Sequence, residues 1–364
     1  MTRVTGRPAA AAAGAAPSGR AGDIDLGAIL RPTGARSESV GIALVRAPGS
    51  APEAVWAPAR AGDEPAYLAY SITKTFLGAL VLSLRDEGRL SLDDPLDRWF
   101  PRVAASDRIS LRRLLDHTAG IPDYGGLPAY QAAVREHPSR PWSFERFAAE
   151  TFDRGVAFPP GTGWAYSNPG YMLLKRIAEA VGEASFARLV ADRIARPLGL
   201  GRTFVAESLA DLSSLAPAPS RAVTPDGAAR DVRECYHPGW VSHGVVASTP
   251  SDVARFLDAL FGGRVVSKSS LGEMTALVPV PENAREPRAG WGRPGYGLGL
   301  MGDVQSPWGR LWGHNGGGPG YRASAFHAPD LGATVCAMGA LEEVVDPEVL
   351  VHAALGRVAG AGRA

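Results

Sequence analysis

Ser71 and Lys74 stand three residues apart at the head of an apolar run, "SITKTFLGALVLSLRDEGRL". Positions i and i+3 share a helix face, so the two side chains are within reach of each other. A serine hydroxyl attacks carbonyls poorly until a base removes its proton. A lysine can be that base when burial or a cationic neighbour lowers its pKa. At a helix start the Ser71 amide is also placed to hold a developing oxyanion. The same spacing fits a plainer arrangement, an N-cap serine followed by a solvated lysine. Lysine is scarce, however: Lys74, Lys175 and Lys268 are the only ones among 38 basic residues.

Two other stretches supply matching chemistry. "FPPGTGWAYSNPGYMLL" sets Tyr166 and Asn168 between a Pro-Gly loop and a helix. Beside a lysine cation a phenol's pKa is pulled down, and Tyr166 could then serve as a base. The Asn168 amide could orient the lysine or bind a substrate carbonyl. "GRLWGHNGGGPGY" carries His314, Asn315, Gly316 and Gly317 in an expected strand. Glycine there lets a substrate lie along the strand edge, and the Gly317 amide could be a second oxyanion donor.

These groups need elements to hold them. "SVGIALVRA" and "EAVWAPA" read as a strand hairpin. Phe76, Leu77, Leu80, Val81 and Leu84 recur at helical spacing and predict a helix burying one face. Residues 95–245 read as helices with long loops. "TPSDVARFLDALFGG" is a helix capped by Thr249 or Ser251 and stopped by its glycines. Beyond residue 293 short strands follow: "GYGLGLM", "GRLWGHNG", "YRASAFHA" and "GATVCAMGA". Strands near both ends with helices between them predict an α+β fold. One antiparallel sheet would be built from both chain ends and flanked by helices, with a mainly helical lobe inserted. The expected divisions are a disordered leader over 1–24, a sheet lobe over 25–95 and 246–355, and the helical lobe over 96–245.

The S-x-x-K, Y-S-N and H-N-G elements, in this order, resemble the serine β-lactamase and penicillin-binding protein superfamily. The resemblance is greatest to its branch of class C β-lactamases, D-alanyl-D-alanine carboxypeptidases and β-lactamase-type esterases. It extends through "ISLRRLLDHTAGIPDY", "PLGL" and "GVVASTPSDVARFLDAL", roughly residues 65–340. It implies a β-lactamase/transpeptidase-like fold, with Ser71 as acylated nucleophile and Lys74 and Tyr166 sharing proton transfer. It further implies that Asn168 positions groups and that the Ser71 and Gly317 amides form an oxyanion hole. Two residues depart from it. His314 stands where many members carry a lysine that meets a substrate carboxylate, and histidine is mostly neutral near pH 7. His243, in "GWVSHGVVAS", stands where relatives have small residues. It reads as a structural histidine or as part of the acyl pocket.

The bulk composition narrows the field. A net charge of +1 gives no field for nucleic acid. Two cysteines, Cys235 and Cys336, make no disulfide framework. The Ala-rich N-terminus is broken by Pro8, Gly14 and Pro17 and lacks Leu, Ile and Phe, so it reads as a leader in a cytoplasmic protein, with secretion the alternative. No stretch is apolar enough to span a bilayer. "GLGLMG" satisfies G-x-G-x-x-G, but no helix follows it to receive a pyrophosphate. A G-x-S-x-G elbow is absent, and the seven histidines show no ligand spacing, so neither a metal nor a cofactor is expected. Asp93-Asp94 reads as a turn, and Trp164, Trp240 and Trp312 as core or pocket wall.

The function these features predict is a serine enzyme acting through an acyl-enzyme on a small ester or amide donor. Water, an alcohol or an amine would be the acceptor, so hydrolysis and acyl transfer both stay open. A carboxypeptidase or class C-type β-lactamase is the alternative. From another class comes a catalytically silent penicillin-recognition module, which would be expected to lack a reactive residue.

Overall fold

The computed structural model describes residues 24–31, 40–57, 63–284, 290–340 and 345–361. The expected leader lies outside these residues except for Ile24. Thirteen strands occur among them. They are β1 (Val40–Val45), β2 (Glu53–Ala57), β3 (Tyr67–Leu68), β4 (Phe204–Ala206), β5 (Pro219–Ser220), β6 (Arg230–Asp231) and β7 (Val245–Ser248), followed by β8 (Val278–Pro279), β9 (Pro294–Tyr296), β10 (Met301–Ser306), β11 (Gly309–Gly318), β12 (Tyr321–Ala328) and β13 (Ala333–Gly339).

Eight strands form one sheet in the order β2-β1-β13-β12-β11-β10-β9-β8. All of its pairs are antiparallel, and β1 joins β13 in a register that sets Ile42 opposite Ala337. The early hairpin thus completes a sheet whose other six strands come from the last third of the chain. Strand periodicity sends alternate side chains to opposite layers. Ile42, Leu44, Val335 and Ala337 pack against Leu350, Val351 and Ala354 of the helix Pro347–Ala361. Ala43, Val45, Cys336 and Met338 join the larger core on the other side, with Val253 and Phe256 of the helix Pro250–Phe261. Covered on both faces, β1 is buried at every residue, as its unbroken apolar run requires. Thr249 caps the helix Pro250–Phe261, accepting from Asp252 N at 3.2 Å, and Gly262 follows its last turn.

The helix Thr73–Asp86 differs from expectation. It is buried on nearly all sides rather than along one stripe, with Ala79 and Leu82 inside as well as the predicted residues. It runs through the middle of the molecule, against the helix Asn168–Gly182 and with Phe76 stacked on Phe256 at 3.8 Å. "GYGLGLM" also departs from the predicted single strand. It breaks after Tyr296 into a turn, Gly297–Leu300, before β10 begins. The turn accepts the central helix at close range: Thr75 Oγ1 donates to Gly299 O at 2.8 Å, and a Cβ on Gly299 (φ +85°) would lie 2.7 Å from Lys74 O. Only glycine fits there, by backbone angle and by space.

Between these parts lie the helices Leu111–Leu115, Pro128–Glu136, Phe144–Glu150, Asn168–Gly182, Phe186–Val190 and Val232–Cys235. A small sheet, β3-β7-β4, runs beside the start of the central helix.

Candidate active site

Ser71 does not open the α-helix. It occupies a single 3-10 turn, Tyr70–Ile72, immediately before it. Tyr70 has φ +44°, unusual for a residue with a side chain, and its hydroxyl donates to Pro319 O at 2.5 Å. From the other side, Ala69 N donates to Val246 O at 2.8 Å and Val246 N to Thr73 Oγ1 at 2.9 Å. The turn is held between β7 and the end of β11. Gly316 on β11 lies directly against it: a Cβ there would collide with the Ala69 carbonyl and sit 3.2 Å from Ser71 N.

The capping alternative for Ser71 is not what is found. Its Oγ accepts from Tyr166 OH at 2.8 Å and from Lys74 Nζ at 3.3 Å. Lys74 is 0% exposed rather than solvated. Its amine meets three polar atoms: Ser71 Oγ, Asn168 Oδ1 at 2.7 Å and His243 Nε2 at 3.3 Å. It also lies 4.7 Å from the Tyr166 ring centre. Asn168 therefore orients the lysine, the first of its two expected uses. The loop before the helix Asn168–Gly182 is held by paired contacts. Ser167 caps the helix through Gly170 N, and its own amide donates to His117 Nδ1 at 3.2 Å. Asn168 N donates to Asp123 Oδ1 at 2.8 Å.

Burial dominates the electrostatics. It lowers the Lys74 pKa from 10.5 to about 7, against the attraction of the Asp123 carboxylate. Much of the amine is then neutral near pH 7 and able to accept a proton. For Tyr166 the sequence argument fails in direction. Burial raises the phenol well above its usual range, and its bond to Ser71 only partly opposes this. The phenol therefore keeps its proton at rest and donates it in a hydrogen bond to Ser71 Oγ. His314 falls from 6.5 to about 3 through burial and the neighbouring Lys74 charge, opposed by the bond to Asn315 O. Nδ1 donates to that carbonyl, so Nε2 is left to accept from Tyr296 OH at 2.9 Å. A neutral His314 matches the expectation from its ordinary pKa.

A cleft of about 820 Å³ opens over Ser71, with Tyr166, His314, Gly316 and Gly317 in its lining. Trp164, Trp291 and Met301 give it apolar walls, and Arg322 and Asp346 add charge. The three tryptophans that the sequence left open divide. Trp164 is pocket wall, Trp240 is core beside Tyr130 and Trp142, and Trp312 packs on Phe261 outside the cleft. Sequence reasoning missed three contributors. His117, one of the seven histidines that showed no ligand spacing, packs 4.5 Å from both the Tyr166 and Tyr296 ring centres. Asp123 and Tyr296 were not singled out, although "IPDY" stood within a stretch that carried the resemblance and "GYGLG" within an expected strand. Among the described residues, no cluster of His, Cys, Asp or Glu could hold a metal ion, and no helix is long and apolar enough to cross a membrane.

Residues 36–347 match the family described as Beta-lactamase. The chain belongs to that family. Among its solved relatives, a D-stereospecific amidohydrolase from Streptomyces sp. is 30% identical, with TM-score 0.79, covering 91% of this chain and 98% of that one. A D-amino acid amidase from Ochrobactrum anthropi SV3, 24% identical with TM-score 0.76 over 93% and 97% of the two chains, shares the β-lactamase-like fold. A penicillin-binding protein of Bacillus subtilis (strain 168) is 28% identical over 299 residues, 76% of this chain but 61% of its own. The chain thus spans about three fifths of that curated relative. Lovastatin esterase of Penicillium rubens is 31% identical over 157 residues, 38% of this chain and 39% of its own length.

Proposed function

We propose that this β-lactamase-family protein is a serine hydrolase of amides or esters, with Ser71 as the acylated nucleophile. The observation that carries the reading is the pair of contacts on Ser71 Oγ: a protonated phenol at 2.8 Å and a buried amine at 3.3 Å. Because Tyr166 OH donates to Ser71 Oγ, the serine's own proton is free to point at Lys74 Nζ. Neutral Lys74 takes that proton as Oγ bonds to the substrate carbonyl carbon. The amides of Ser71 and Gly317 stabilise the resulting oxyanion. The carbonyl carbon's bond to the leaving nitrogen or oxygen then breaks, and that atom departs with the Tyr166 proton. Lys74 returns its proton to the phenolate. Water repeats the sequence on the acyl-enzyme and releases the acid. Asn168 holds the lysine, while neutral His314 and Gly316 line the substrate's path.

The names of the Streptomyces and Ochrobactrum relatives support an amide of a D-amino acid as the donor. The apolar cleft walls suit a hydrophobic side chain. Acyl transfer is a second reading, favoured by a cleft of about 820 Å³, which has room for an alcohol or amine beside the acyl group. A silent binding module is disfavoured by the mutual contact of all three reactive groups.

Intact-mass detection of an adduct tests the reading. The probes are D-phenylalanine amide, an aryl ester, a chromogenic cephalosporin and an acyl-D-Ala-D-Ala peptide, each with and without an added amine or alcohol. The expected result is a Ser71 adduct with the ester, turnover of the D-amide, and neither in Ser71→Ala. Turnover that survives in Ser71→Ala overturns the mechanism. An amide or ester product formed with the added amine or alcohol assigns transfer.

A further inference from the structure

We propose that His243 aims the base: with Asn168 it binds both N–H groups of neutral Lys74, so that the amine's lone pair faces Ser71 Oγ. This rests on the reading of Lys74 as the proton acceptor. A charged ammonium has three N–H donors, and Lys74 Nζ meets three acceptors: Ser71 Oγ, Asn168 Oδ1 and His243 Nε2. A neutral amine has two N–H groups and one lone pair. Only one division of these lets it deprotonate the serine. The N–H groups must go to Asn168 and His243, leaving the lone pair toward Ser71. Asn168 alone would leave the amine free to rotate its lone pair away.

Several features hold His243 to this task. It is 1% exposed and sits behind Lys74, away from the cleft lining. Gly244 at φ +81° turns the chain immediately after it into β7, and β7 bonds Thr73 in the first turn of the central helix. Facing the charged ammonium, which can only donate, Nε2 accepts, and the ring proton then sits on Nδ1, which is buried without a hydrogen-bond partner among the described residues. Burial and the Lys74 charge both keep the imidazole neutral, which preserves that lone pair. The other titratable groups facing the pair are Tyr166, Tyr171, His117, His314, Lys175 and Asp123. Lys175 is itself paired with Glu179 at 3.0 Å.

The experiment uses the full chain labelled with 13Cε-lysine. Only three lysines exist, so Lys74 is assigned by its loss in Lys74→Arg. Its titration is followed beside Ser71 acylation by p-nitrophenyl acetate across pH, in wild type, His243→Leu and His243→Gln. Loss of the acceptor strands one ammonium N–H. The Lys74 midpoint should therefore fall by about one pH unit or more in His243→Leu. The plateau acylation rate should fall about tenfold as the lone pair loses its aim. Gln, whose Oε1 reaches the place of Nε2, should recover most of both changes. His243→Met supplies the same comparison if the Leu variant does not fold. An unmoved Lys74 midpoint, equal effects of Leu and Gln, or faster acylation in His243→Leu overturns the proposal. In the last case the imidazole had been donating to the lone pair. Absence of any wild-type adduct on Ser71 overturns the catalytic reading instead, whereas a wild-type adduct with an unmoved Lys74 midpoint in His243→Leu removes the His243 role alone.

Discussion

Lys74 is the residue on which the chemistry turns, because it is both fully buried and basic. With its pKa lowered to about 7, the amine must lose a proton before it can take one from Ser71. Acylation, read as kcat/KM against pH, is therefore expected to rise through about pH 7 and level above it. A flat profile from pH 5 to 9 would contradict this assignment. Tyr166 contributes differently. As a proton donor to Oγ and then to the leaving group, it should be needed most when that group is a poor one. Tyr166→Phe is expected to lower amide turnover by about 100- to 10,000-fold. It should reduce turnover of activated aryl esters much less, since their leaving groups need no proton. A side-by-side kinetic comparison of the two substrates reads this directly, and equal losses would assign Tyr166 another role.

At the scale of elements, the site depends on how closely two glycine-bearing segments approach the central helix and the nucleophile turn before it. Gly299→Ala introduces a methyl 2.7 Å from Lys74 O on a backbone at φ +85°. It should cost on the order of 2–4 kcal/mol of stability, measurable by denaturant unfolding. Gly316→Ala is expected to act on function as well as on folding, since a Cβ there would stand 2.1 Å from the Ala69 carbonyl oxygen. Its methyl presses on the nucleophile turn, and a loss of acylation of about 100-fold is expected if the oxyanion site is distorted. Much of this arrangement was legible in the sequence. Ser71 to Lys74 and Tyr166 to Asn168 are local spacings, and local spacing survives folding. The β1–β2 hairpin and the helix Pro250–Phe261 were legible for the same reason, through short apolar runs close together in the chain and through caps. The direction of the Tyr166 pKa was not, because the argument weighed a neighbouring charge and could not weigh burial. The His243 contact was hidden too: it joins residues 169 apart, and nothing near His243 names its partner. The break in "GYGLGLM" was missed because its cause lies on the central helix.

At the scale of the whole molecule, a buried lysine links charge to stability. The folded state holds Lys74 with a depressed pKa, so the unfolded chain binds more protons between about 7 and the usual 10.5. Stability should rise with pH in that window, and the contribution is lost as pH falls toward 7. Between pH 7 and about 9.5 the gain from Lys74 alone is about 3 kcal/mol. Urea midpoints should show this rise in the wild type and a flatter trend in Lys74→Met, and parallel trends would place the amine in a wetter setting. Tyr70 binds Pro319 across 249 residues, and β1 has no sheet partner on its inner side until β13 exists. On a translating ribosome the nucleophile therefore emerges long before the strand that completes its surroundings. Reactivity should switch on late, once β11 and β13 have emerged, and nascent chains truncated before them, with Ser71 and Lys74 intact, should remain inert toward acylating reagents.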